Sequence, residues 1–256
     1  MVEDITFRVY HYLGKSIWDF EDLSFEDSIK FMSEDPWKSY VIHPIGSDLV
    51  IWKEFNSLDL YYGKPKSDVN NPNVWELPEI TARSILKYEH ILNHARPKPL
   101  LNLNLKYFLG KTVIDEAGGL AEFTPMLAEL KAEKDDQVLP ILIDPLPYHL
   151  VKEILLGFKT SFGNLDITNK EYDNSISISE AIRRIDIILN PSLVRLYNVV
   201  FNLDGRLHPE LEELKNTGDV GIEVWGSISK NLGGSEKNFR ELLKPDGELY
   251  IGCYNK

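Results

Sequence analysis

Apolar residues along this chain fall into two regimes. Up to about residue 98, short alternating and aromatic-rich segments, SYVIHPI, DLVIWKEF and LDLYYGK, are separated by Gly, Ser, Asp and Asn, the pattern of short antiparallel strands. KSDVNNPN, Lys66 to Asn73, is polar and predicts a loop. Ile80, Ile85, Leu86, Ile91 and Leu92 recur near helical spacing and predict a helix from Pro78 to about His94. In ARPKP, Ala95 to Pro99, two prolines stand two residues apart and cannot share one helix. The domain boundary is placed there, giving an N-terminal α+β part, residues 1–98, and a second domain, residues 99–256.

Beyond that boundary strand and helix patterns alternate. Strands are expected at Lys111–Asp115 and Val138–Ile143, with helices at about Phe123–Glu133 and Pro147–Phe158. A polar loop follows from Thr160 to Asn174, after which Ser177 and Glu180 form a capping box for a helix running to about Leu189. SLVRLYNVVF reads as a third strand, HPELEELKN as a short helix, DVGIEVWG as a fourth strand, SEKNFRELLK as a helix and GELYIGC as a fifth strand. Strands recurring between helices argue for parallel βαβ units in an α/β fold, with ligand-binding loops beyond the carboxyl ends of the strands.

The segment TVIDEAGGLAEF, Thr112 to Phe123, resembles the first motif of class I S-adenosylmethionine-dependent methyltransferases, an apolar strand ending in an acid and a small-residue turn of the form (D/E)xGxGxG. The matching positions are Asp115, Ala117, Gly119 and Ala121, with alanine standing at two of the glycine places. The resemblance implies that the small residues admit the methionine portion of the cofactor and that Asp115 organises its ammonium group. VLPILIDPLP, a strand finishing at Asp144, is similar to the family's second element, whose acid receives both ribose hydroxyls. Leu243, Lys244, Pro245, Asp246 and Gly247 match the LkPgG turn before the family's fifth strand. Asp204, in VVFNLDGRL, falls where the family places a residue near the adenine amino group, although Asp-Gly is also an ordinary turn. Glu223, Trp225 and Ser227 sit at the end of the fourth strand, where the family builds its acceptor site.

What the resemblance implies is a Rossmann-like, doubly wound, mostly parallel sheet with an N-terminal α+β extension, and S-adenosylmethionine as cofactor. It covers about Lys111 to Cys253 and stops short of the antiparallel sixth and seventh strands with which the family ends its sheet. A strand from the front part, or a second subunit in a homo-oligomer, is the expected cover for the fifth strand's edge. A dinucleotide reading of the same turn would set the Glu122 carboxylate beside a pyrophosphate, which favours the sulfonium cofactor over NAD.

Other candidates have plainer explanations. His90 and His94, with Glu89 nearby, have helical spacing but no HExxH arrangement, so no metal is expected. His149 stands at a helix start and could act as a base near the cofactor, but a helix N-terminal histidine without chemistry is the plainer reading. Trp37, Tyr40, Trp52, Tyr61, Tyr62 and Trp75 read as strand-packing core before they read as a recognition surface. No NPPY-like sequence is present, which argues against methylation of nucleobase amino groups.

Composition narrows the partners. Twenty-eight basic against forty acidic side chains leave a net charge of −12, which repels a phosphate backbone, so no nucleic acid is expected. Cys253 is the only cysteine, so a disulfide within the chain and a thiol-rich metal site are excluded. Acidic Glu3 and Asp4 and the absence of a long apolar run fit a cytoplasmic protein without a membrane segment. The expected function is methyl transfer to a small or medium-sized acceptor, the front domain setting acceptor specificity. The alternatives are a non-catalytic methyltransferase-like module binding a protein partner, which the alanines at 117 and 121 favour, and a nucleotide-dependent oxidoreductase. The methyltransferase reading requires the turn after Asp115 and the strand tip at Asp144 to be neighbours in a parallel sheet, with one nucleoside-sized crevice between them that packed side chains do not fill.

Overall fold

A computed structural model describes residues 5–12, 17–35, 38–47, 49–54, 57–62, 105–116, 120, 123–134, 137–167, 176–199, 207–223 and 235–251. The first elements in chain order are β1 (Phe7–Tyr12), β2 (Ile17–Leu23), α1 (Phe25–Glu34), β3 (Ser39–Pro44), β4 (Leu49–Glu54) and β5 (Ser57–Tyr62). A 3-10 turn at Leu105–Phe108 precedes β6 (Lys111–Glu116), α2 (Phe123–Lys134), β7 (Val138–Ile143), α3 (Tyr148–Phe162), β8 (Asp166–Ile167), β9 (Ile176–Ser177) and α4 (Ile178–Ile188). β10 (Arg195–Tyr197), a 3-10 helix at Pro209–Leu214, β11 (Gly218–Glu223), α5 (Ser235–Leu242) and β12 (Leu243–Ile251) complete the order. The helix expected over 78–94 lies outside the described residues.

The chain divides into two compact units, each built from two segments: Met1–Asn93 with Pro147–Ile182, and His94–Leu146 with Arg183–Lys256. Where the sequence pattern sets one cut after residue 98, the path passes between units near 93/94, again at 146/147, and a third time within α4.

In the first unit a seven-stranded sheet has the order β2-β1-β3-β4-β5-β8-β9. Its pairings are antiparallel except for β5 with β8, where Ser57 faces Asp166 and Leu58 faces Ile167. The three strands expected in SYVIHPI, DLVIWKEF and LDLYYGK are β3, β4 and β5. α1 starts where the Ser24 hydroxyl accepts the Asp27 amide at 3.1 Å, a side-chain N-cap. α3 buries Val151, Ile154, Leu155 and Phe158, and its Gly157 gives room for the ring of Phe25 on α1. Tyr40 is buried, as a core aromatic is.

Leu49, Ile51 and Lys53 alternate on one buried face of β4, so period-2 geometry carries a lysine into the core with 0% exposure. Its ammonium lies 5.7 Å from the Tyr40 ring centre and 5.3 Å from that of Phe162, and donates to the Lys38 carbonyl at 3.5 Å. Burial lowers its pKa, opposed by Asp35. Because the charged form is disfavoured in the fold, stability rises with pH up to the unfolded value near 10.5. Lys53→Met is therefore expected to be neutral or stabilising at pH 7, an advantage that shrinks toward pH 10; urea denaturation at the two pH values measures it.

The second unit holds a five-stranded, wholly parallel sheet in the order β10-β7-β6-β11-β12. Counted along the chain, the order is third, second, first, fourth, fifth. Both faces are covered, as a parallel sheet requires. Phe108, Val113, Phe123, Leu127, Val138, Val220 and Ile222 form the core on the α2 side. Ile114, Ile141, Ile143, Leu211, Leu214, Phe239 and Leu242 form the other. This is an α/β fold.

Asp219 fastens the amino-terminal ends of three of these strands. One oxygen accepts the Thr112 amide at 2.8 Å, the other the Lys244 ammonium at 2.6 Å. Burial pushes its carboxyl up, but those two donors hold it below its ordinary value. The third strand, expected over 192–201, is regular only at Arg195–Tyr197. The turn expected at 243–247 lies inside β12, where pairing jumps from Gly218↔Leu243 to Val220↔Glu248. Gly247 belongs there because a Cβ would stand 3.0 Å from the carbonyl oxygens of Gly218 and Lys244. Among the described strands β12 pairs only with β11, and the front strands pair within their own sheet, so no described front strand covers its edge. No helix among the described residues is long and apolar enough to cross a membrane.

Candidate functional site

The strand order of the second unit reverses at β6: the chain builds outward through β7 and β10, then crosses to β11 and β12 on the other side. Such a switch point, at the carboxyl ends of the strands, is where open α/β sheets bind ligands. Register fixes what stands there. Asp115 faces Leu142 and Glu116 faces Ile143 across β6 and β7, while Ile222 faces Asp115 and Glu223 faces Glu116 across β6 and β11. Asp144 is the next residue after β7. The adjacency required of Asp115 and Asp144 is thus present.

Alternation along β6 sends its two acids to opposite faces. Asp115 follows Val113 toward the α2 side, and Thr124 on α2 donates its hydroxyl to Oδ2 at 2.6 Å. Glu116 follows Ile114 toward the other side, as Glu223 follows Gly221, whose absent Cβ leaves space filled by Phe239 and Leu249. Asp144 turns the chain through Oδ1, which accepts the Leu146 amide at 2.7 Å. Its backbone is held from the third strand: its amide donates to the Tyr197 carbonyl at 3.0 Å, and the Asn198 side-chain amide donates to the carbonyls of Asp144 at 3.1 Å and Leu146 at 2.7 Å.

All four carboxyl groups are buried, Asp115 at 1% exposure, Glu223 at 2%, Asp144 at 4% and Glu116 at 9%. Burial pushes Asp115 up to about 7, with the Thr124 hydroxyl lowering it and Asp144 raising it. Glu116 is driven well above the usual carboxylate range by burial, then by Glu223, Asp115 and Asp144. Asp115 Oδ1 and Glu116 Oε2 have no hydrogen-bond partner. Among the described residues no set of His, Cys, Asp and Glu side chains converges as a metal site. What the arrangement offers is acceptor oxygens and negative potential, suited to hydroxyl donors, ammonium groups and protons.

Of the residues read from sequence, Asp115, Asp144 and Glu223 come together here. Ala117, Gly119, Ala121, Asp204, Trp225 and Ser227 lie outside the described residues, as do His90 and His94. His149 is exposed on α3, an element of the first unit. Glu116, Thr124 and Asn198 were not read as site residues. The signal for Glu116 was available, two successive acids closing the apolar strand KTVIDE; Thr124 and Asn198 carry no comparable mark. In comparisons with family models, curated proteins and solved structures, nothing matches this chain.

Proposed function

We propose that the second unit is a Rossmann-like cofactor domain and that the protein is an S-adenosylmethionine-dependent methyltransferase acting on a small or medium-sized acceptor. The observation that carries this reading is the pairing of β6 with β7 at the reversal of the strand order, which makes Asp115 and Asp144 neighbours. The donor set fits the cofactor. Asp115 Oδ1 is a buried acceptor lacking a donor, and Asp144, whose Oδ1 accepts the Leu146 amide, stands at the next strand tip, where a carboxylate suits ribose hydroxyls. A pyrophosphate would meet four acids, which disfavours a dinucleotide.

When bound, the cofactor supplies an electrophilic methyl on a sulfonium. The chain's own residues then have limited tasks. Asp144 would hold the ribose, Asp115 would orient the ammonium end, and Glu223 at the fourth strand tip would face the acceptor. Proximity and in-line orientation supply most of the acceleration.

Isothermal titration of the full-length protein with S-adenosylmethionine, S-adenosylhomocysteine and NAD(P) tests this. Saturable binding of the first two and none of the third is expected. A folded sample that ignores both sulfur compounds overturns the enzyme reading in favour of a partner-binding module, the alternative that Ala117 and Ala121 favour; NAD(P) binding turns it to an oxidoreductase.

A further inference from the structure

Glu116 and Glu223 stand in register on adjacent parallel strands, about 4.8 Å apart by strand spacing, with side chains on the same face. They occupy the face opposite the Asp115–Thr124 bond, so they are not needed for that anchor. Burying two carboxyl groups side by side, one with an oxygen facing no donor, is costly, the more so when both ionise; a proton relieves part of that cost and a cationic ligand can relieve the rest. Glu116 is the informative member: nine-tenths buried, its Oε2 has no partner, and among the described residues the charged groups that raise it are the carboxyls of Glu223, Asp115 and Asp144. Paired carboxyl oxygens suit a ligand that brings positive charge together with N–H donors.

We propose that Glu116 and Glu223 form a binding site for a protonated alkylamine, and that the acceptor of this protein is an amine. The binding claim stands on the carboxyl pair alone; the acceptor claim rests on the methyltransferase reading. An ammonium offers three donors to the pair. Its N–H bond breaks, the electrons remain on nitrogen as a lone pair, and the proton forms an O–H bond on one glutamate, lowering the pair's negative charge by one. In methyl transfer that lone pair forms the new N–C bond while the C–S electron pair leaves with sulfur. The glutamate then returns its proton to solvent.

The test is titration of the full-length protein with n-butylammonium chloride at matched ionic strength, beside n-butanol and magnesium chloride. Saturable binding of butylammonium alone is expected, weakened about tenfold or more in Glu116→Gln and in Glu223→Gln, the loss of one charge-assisted hydrogen bond. Circular dichroism verifies that each variant is folded, and either one suffices if the other is not. No butylammonium binding, equal binding of butanol, tighter binding of magnesium, or unchanged affinity in a folded variant overturns the amine site. S-adenosylhomocysteine is titrated separately: its failure beside intact butylammonium binding overturns the methyltransferase reading and leaves the amine site standing, whereas the reverse overturns the amine site alone.

Discussion

Raising the pH from 4 to 8 is expected to destabilise the ligand-free protein steadily, and Asp115→Asn to flatten that decline. The folded-state pKa of Asp115 is raised from 3.8 to about 7, so between those values the folded chain keeps a proton that the unfolded chain has released. Its stabilisation is complete below pH 3.8 and is lost as pH rises through 7, the reverse of a salt-bridged carboxylate. The shift corresponds to about 4 kcal/mol, a large share of the stability of a domain. Glu116, also raised by burial and its acidic neighbours, prolongs the decline upward. Asparagine at 115 keeps an oxygen for the Thr124 hydroxyl and removes the ionisation. Urea midpoints at pH 5 and pH 8 measure the effect; parallel profiles for parent and variant would show that Asp115 ionises freely in the fold.

Asp144→Ala is expected to weaken S-adenosylhomocysteine binding about hundredfold, the loss of two charge-assisted hydrogen bonds. The fold should tolerate the change, because removing one of four clustered acids relieves repulsion and because Asn198 holds the strand exit through backbone carbonyls. The Leu146 amide loses its acceptor, a cost of about 1–3 kcal/mol that the relieved repulsion offsets in part. Calorimetry with a circular dichroism control separates the two effects. Unchanged affinity in the folded variant places the nucleoside elsewhere or removes it from the account.

Short apolar strand segments alternating with helical patterns made most of the second unit legible. KTVIDE, FTPMLAELKAEK and VLPILI appear at β6, α2 and β7 close to their expected bounds, because a strand buried on both faces and the helix beside it leave strong signals. Neighbouring tips for Asp115 and Asp144 followed from that reading. β8 was not legible, since Asp166 and Ile167 are two residues in a polar stretch whose strand character comes only from pairing with β5. That pairing helps join residues 147–182 to the front unit, which no local pattern announces. Glu116 was passed over because a turn motif treats the position after its acid as variable, whereas the sheet gives it a partner in Glu223. Lys53 shows the converse, a charged residue that β4's alternation places in the core.

Because Pro147–Ile182 returns to the unit begun by Met1–Asn93, synthesis cannot finish the two units one after the other. The nascent chain must release β6, α2 and β7 before α3 and β8 emerge to complete the first unit, and β7 then waits for β10 and its Asn198 clamp. Synthesis is therefore interleaved, and the strand carrying Asp144 gains its β10 neighbour only after every segment of the front unit has been made.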